Sequence, residues 1–117
     1  MGNKSKMEFK ARVDAALDRF IQKYPGAFFP KDSADTRPLA IGVFTILTGQ
    51  NRDIGRKVIA EALARYTMKD RYLRALAVSE SRFDLNGRPD GVVSEKHREF
   101  AIKLLAERQA AKVARAA

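Results

Sequence analysis

The chain has 117 residues, with 23 Lys and Arg against 14 Asp and Glu, a formal net charge of +9 and no cysteine. That length fits one domain with a modest core, and the charge predicts attraction to polyanions, nucleic acid first and anionic membrane second. Without cysteine there is no disulfide framework, thiolate metal site or cysteine nucleophile, as suits a reducing compartment.

In chain order, residues 1–6 read as a flexible basic tail. The opening is polar and carries no signal-peptide pattern, so the expected location is the cytoplasm. From Met7 on, Phe9, Val13, Ala16, Leu17, Phe20, Ile21 and Tyr24 fall on one helical face, which predicts an amphipathic helix. Pro25-Gly26 stops it. The aromatic stretch Ala27-Phe28-Phe29-Pro30 is expected to fold back onto the core, and 31–35 is polar loop.

The densest apolar run follows, from Arg37 to Gly49. Pro38 suits a first helical turn, Thr36 or Arg37 would cap it, and Gly49 lies where a C-terminus belongs. Leu39, Val43, Ile46 and Leu47 keep helical spacing, with Ile41 and Phe44 filling most of the other side. The run therefore predicts a buried central helix, with Gly42 admitting a neighbouring backbone. A β-strand over 39–47 is the alternative.

Asp53 can cap the next helix, whose buried stripe is Ile54, Val58, Ile59, Ala62, Leu63 and Tyr66. Thr67 resembles a fresh cap, with Asp70 completing a capping box for a fourth helix that buries Tyr72, Leu73 and Leu76. The period then changes. Arg82-Phe83-Asp84-Leu85, then Asn86-Gly87, then Val92-Val93 signal a small hairpin near 82–93, with both turn residues at positive φ. Pro89 and Gly91 suggest a short or bulged return strand. Ser94 caps a last helix, expected to fray or project beyond Glu107. Residues 7–117 thus read as a single domain, mostly α, a compact bundle of about five helices with one hairpin.

Enzymatic chemistry finds little support. His97, the only histidine, sits among charged residues in a first helical turn and reads as solvent-facing and structural. No metal-ligand spacing, phosphate loop or dinucleotide fingerprint occurs, so no cofactor or metal is expected. The cations are more informative. From Arg52 to Arg74 seven basic residues face three acids, with Tyr66 and Tyr72 interleaved. Phosphates are bound by Lys, Arg and helix N-termini, and unpaired bases stack on aromatic or guanidinium planes. The corner Tyr66-Thr67-Met68-Lys69-Asp70-Arg71-Tyr72 offers all of these. Two buried tyrosines with surface hydroxyls, amid ordinary solvated charges, would be the bland alternative.

Several linked stretches carry a resemblance to a known family. Arg37-Pro38-Leu39-Ala40-Ile41-Gly42-Val43-Phe44, Ala62-Leu63-Ala64-Arg65-Tyr66-Thr67, Arg71-Tyr72-Leu73 and Arg82-Phe83-Asp84-Leu85-Asn86-Gly87 resemble, in order and spacing, the RNA-chaperone domain of the ProQ/FinO family. Tyr24-Pro25-Gly26-Ala27-Phe28 is similar to that family's aromatic-Pro-x-x-Phe. The resemblance implies a FinO-like, mostly helical bacterial domain that binds structured RNA, such as small RNAs and messenger 3′ ends, and in some members promotes RNA pairing. It places 3′-end gripping on Tyr72 and Arg82, with Arg71 and Arg56 at family basic positions. Ala40, Ala60 and Ala64 stand where relatives often carry cations.

The expected RNA-binding set is Arg37, Arg56, Lys57, Arg65, Thr67, Met68, Lys69, Arg71, Tyr72 and Arg82. The expected partner is structured RNA, with no membrane and a monomer favoured. A helix-turn-helix DNA-binding protein built on the third and fourth helices, or a basic module for acidic partners, is the rival.

Overall fold

A computed structural model describes residues 2–117. In chain order it comprises α1 (Gly2–Lys23), α2 (Val43–Gln50), α3 (Arg56–Thr67), α4 (Asp70–Val78), β1 (Ser81–Phe83), β2 (Pro89–Val92) and α5 (Glu95–Ala116). Where a tail was expected, α1 is helical from Gly2; Met1 lies outside the described residues. At the other end α5 stays helical past Glu107 to Ala116, its last turns exposed. No helix among the described residues is long and apolar enough to cross a membrane.

The amphipathic stripes pack as their spacing dictates. Val13, Ala16 and Phe20 of α1 and Val58, Ile59, Ala62 and Tyr66 of α3 are buried in one core. A chain of tilted aromatic rings threads it. Centroid distances are 6.1 Å for Tyr24–Phe20, 5.3 Å for Phe20–Phe28, 4.9 Å for Phe28–Tyr66 and 5.7 Å for Tyr66–Tyr72. Phe28 thus does fold back into the interior, completely buried.

The apolar run departs most from expectation. Its helix begins only at Val43, and Pro38-Leu39-Ala40 is extended alongside β1. Ala40 N–H donates to Phe83 O at 2.8 Å, and Phe83 N–H donates to Pro38 O at 2.9 Å. Those bonds to a distant strand outweigh the local helical signal. Gly42, at φ 95°, turns the chain from strand to helix. A side chain would be strained there, and no neighbour approaches within 4 Å, so backbone geometry rather than close approach requires the glycine. The helix is not wrapped on all sides either. Val43 and Leu47 are buried, whereas Ile46 is 46% and Ile41 78% exposed.

The hairpin forms with an irregular register, Ser81 opposite Val92 and Phe83 opposite Pro89. Its turn is not the expected one, because Gly87 alone takes positive φ, at 80°, and Asn86 does not. Gly87 N–H donates to Asp84 O, while the Asp84 carboxylate accepts the amides of Asn86 and Arg88. This side-chain turn positions Gly87 against Gly26, where an added Cβ would come within 3.1 Å of the Gly26 carbonyl.

Candidate RNA-binding cleft

Four elements, α3, α4, β1 and α5, converge on one cleft. Thr67 and Met68 come from the α3–α4 corner, Tyr72, Leu73 and Leu76 from α4, Arg82 from β1, and His97 and Phe100 from α5. The volume is about 260 Å³, enough for a nucleotide-sized group.

Arg82 is its most unusual member, at only 8% exposed. Nη1 donates to Leu39 O at 2.9 Å, and Nη2 lies 2.8 Å from His97 Nδ1. Arginine can only donate, so His97 Nδ1 accepts and its proton, if neutral, sits on Nε2. Arg82 Nε is buried without a partner. No carboxylate pairs with this guanidinium among the described residues. Asp84 is held by turn amides, and Asp70 by Arg108 at 2.6 Å and Lys112 at 3.6 Å. A buried cation without a counter-ion is costly and is relieved by an incoming anion.

Tyr72 supports this arrangement from below. Its hydroxyl accepts Leu39 N–H at 2.9 Å, so Leu39 is fixed by Tyr72 through its amide and by Arg82 through its carbonyl. Burial pushes the Tyr72 phenol up from its ordinary value, while the Leu39 amide and the Arg82 charge act in the opposite sense. Tyr66 is raised by burial too, and its hydroxyl accepts Phe29 N–H at 3.0 Å. Neither hydroxyl therefore serves as a mere surface contact. Tyr66 is a core ring, not a stacking platform, whereas Tyr72 reaches the cleft.

Two expected caps are absent. Thr67 is the last residue of α3, and its hydroxyl donates back to Leu63 O at 2.8 Å. The α4 N-cap is Lys69, without a side-chain bond. Leu73 N–H makes the first backbone bond of α4, to Lys69 O, so the preceding amides of its first turn remain available to an anion. Asp53 likewise caps nothing; it pairs with Arg19 at 2.8 Å, and Gly55 occupies the N-cap of α3.

The remaining expected residues are spread over other surfaces. Arg56 and Lys57 are exposed at the start of α3, Arg56 5.5 Å from the Phe44 ring. Arg65 lies two turns on, 3.8 Å from Glu61. Helical rise puts Arg56 about 16 Å from Thr67 along the axis. Arg37 is stacked over Phe83 at 5.0 Å and Phe29 at 5.8 Å, outside the cleft. Arg71 lies over Tyr66 at 5.5 Å and lines a different hollow. Lys69 is exposed at the α4 entrance. Sequence reasoning missed His97 as a partner of Arg82. The available signal was Ser94, whose hydroxyl accepts His97 N–H and fixes His97 in the first turn of α5, just after the strand that returns beside Arg82.

Comparison with known proteins gives a consistent picture. A family model described as the ProQ/FINO family matches residues 10–117. The RNA chaperone ProQ of Aeromonas salmonicida (strain A449) is 32% identical over 110 residues, covering 92% of this chain and 50% of that protein. The RNA chaperone ProQ of Aeromonas hydrophila subsp. hydrophila matches with the same identity and coverage. The chain thus spans about half the length of the curated relatives it matches. A crystal structure of a FinO-like RNA chaperone from Neisseria meningitidis MC58 superposes with a TM-score of 0.66 at 31% identity, covering 79% of this chain and 92% of that one. The solution structure of a ProQ homolog from Legionella pneumophila gives 0.66 at 27%, covering 84% and 83%.

Proposed function

Because the chain belongs to the ProQ/FINO family, we propose that it is a non-enzymatic RNA-binding domain that grips the single-stranded 3′ end of a structured RNA. The observation that carries this reading is Arg82, a buried guanidinium without a carboxylate, held open to a cleft by Leu39 and His97.

Each part of the cleft has a task. The Nη protons of Arg82 that Leu39 and His97 do not use offer charge-assisted donors suited to a phosphate. The first-turn amides of α4 supply further donors and the positive end of a helix dipole. Met68, Leu76 and Phe100 give the apolar wall against which a base or ribose packs. A terminal nucleotide suits this cleft better than mid-strand, since no following phosphate must be accommodated. At the far end of α3, Arg56 and Lys57 are placed to contact phosphates of the adjoining stem, which positions the RNA without reading sequence. A terminator-like stem-loop with a 3′ tail fits this division, and small RNAs and messenger 3′ ends are the RNA classes it implies. Protection of 3′ ends and promotion of RNA pairing are the roles that follow.

Competition tests the reading. An RNA hairpin with a 3′ tail is set against duplex DNA of matched charge at one salt concentration. The expected result is strong preference for the hairpin, and a log–log salt slope that falls by about 0.7–0.9 in Arg56→Ala or Lys57→Ala. Preference for duplex DNA would assign α3 and α4 to a helix-turn-helix instead and overturn the proposal.

A further inference from the structure

A second, larger cleft lies on another side of α4. It has a volume of about 670 Å³ between the 33–36 loop, α4 and Leu105 of α5, and two arginines, Arg71 and Arg74, line it without any carboxylate. By helical spacing the two hollows use different sides of α4. Tyr72, Leu73 and Leu76 face the first, Arg71, Arg74, Ala75 and Val78 the second, and no residue lines both.

The electrostatics of this cleft are unbalanced. Nε and Nη1 of Arg71 are buried and make no hydrogen bond. Arg98 donates from Nη2 to the carbonyl of Ser79, a lining residue, and its own Nε is buried without a partner. Among the described residues none of Arg71, Arg74 and Arg98 forms a salt bridge, although Arg19, Arg65 and Arg108 all do. A partly desolvated guanidinium without a counter-ion carries a cost that an oxyanion beside it offsets through its charge. Beside them the wall is apolar: Ala34, Ala75 and Val78, the last 79% exposed. Cationic donors beside a smooth apolar wall suit a phosphate joined to a sugar and base. A run of acidic side chains alone would bring carboxylates to the arginines but nothing apolar for the wall.

We propose that this cleft is a second phosphate-binding site, which takes the backbone of a nucleic-acid strand other than the one ending at Arg82. The inference rests on the proposed function for the identity of the first strand. With one strand on each side of α4, the domain would hold two RNAs within a helix diameter of each other, as pairing them requires.

The test uses the full chain saturated with an unlabelled hairpin carrying a 3′ tail. A fluorescent single-stranded oligonucleotide with a 3′-phosphate is then titrated and followed by anisotropy. Wild-type protein is expected to bind it as a second ligand. Arg74→Glu, at an exposed position, should weaken that second event at least tenfold while the hairpin affinity stays within twofold, and Arg71→Met should weaken it in the same direction. Arg82→Met should show the opposite pattern. Absence of a second binding event, or unchanged second-strand affinity in both Arg74→Glu and Arg71→Met, would overturn the inference. So would equal binding of a polyglutamate peptide, or displacement of the oligonucleotide by inorganic phosphate or a mononucleotide at equal concentration. Failure of the first-cleft reading is separately visible, as an Arg82→Met protein that binds the hairpin normally.

Discussion

Tyr72→Phe removes one oxygen and leaves the ring in place. In the folded protein that oxygen is the acceptor for Leu39 N–H at 2.9 Å, in a buried setting. The extended segment cannot turn this amide toward water, because Phe83 fixes Pro38 and Ala40 on either side and Arg82 holds the Leu39 carbonyl. The variant therefore strands a buried donor, at a cost of about 1–3 kcal/mol. Unfolding entropy of about 2.1 cal/mol/K per residue makes each kcal/mol worth roughly 4 °C in a chain of this length, so Tm should fall by about 4–12 °C. Scanning calorimetry reads this directly. RNA binding measured well below Tm should suffer less than in Tyr72→Ala, which also loses the ring. A Tm unchanged within 1 °C, as an order-of-magnitude bound on a missing penalty, would refute the reasoning that Tyr72 anchors the Leu39 segment.

Further outcomes follow from burial and charge. Leu47→Ala should cost about 2–5 kcal/mol, because the side chain is wholly enclosed. Ile46→Ala, one position away and half exposed, should cost under about 1 kcal/mol, and equal urea midpoints for the two variants would contradict this division. Asp70 bridges α4 to α5, and its hydrogen bond from Arg108, followed by the nearby Lys112 charge, holds its carboxyl below the ordinary value of 3.8. A depressed folded pKa stabilises above the unfolded value and is lost as pH falls through the folded one. Asp70→Asn should therefore be less stable than wild type at neutral pH, with the gap closing below about pH 4. A gap independent of pH would show that the ion pair contributes nothing.

The sequence is legible where structure is decided within a few turns of chain. The stripe from Phe9 to Tyr24, the stripe from Val58 to Tyr66 and the Ser94 cap are local signals, and α1, α3 and α5 follow them. The run at 38–49 misleads because Phe83, not a neighbour, supplies the partners of Pro38 and Ala40. The spacing of Thr67 and Asp70 mimics a capping box. The Thr67 hydroxyl instead bonds back to Leu63, the usual competing option for threonine at a helix end. The turn at Asn86-Gly87 is preempted by Asp84, whose carboxylate captures two amides and leaves only Gly87 at positive φ. For the candidate site, residue types near the corner were readable, and so was the family to which they point. That Tyr72 and Arg82 belong together was legible through the family resemblance; which of the other residues share their cleft was not. Arg71 and Tyr72 are adjacent in sequence and line different hollows, while His97 joins Arg82 across the hairpin.

The central claim is that the Arg82 cleft holds an RNA 3′ end. Its most direct test measures affinity for one hairpin in three forms: with a single-stranded tail ending in a free 3′ hydroxyl, with the same tail ending in a 3′-phosphate, and with no tail. Wild-type protein should bind the free 3′ end at least tenfold more tightly than either of the others. Arg82→Met, shown by circular dichroism to be folded, should bind the free end about 10- to 150-fold more weakly than wild type, the loss expected for charge-assisted hydrogen bonds worth about 1.5–3 kcal/mol. That variant should discriminate little among the three forms. Equal wild-type affinity for free and blocked ends would contradict the account, even if the protein binds RNA.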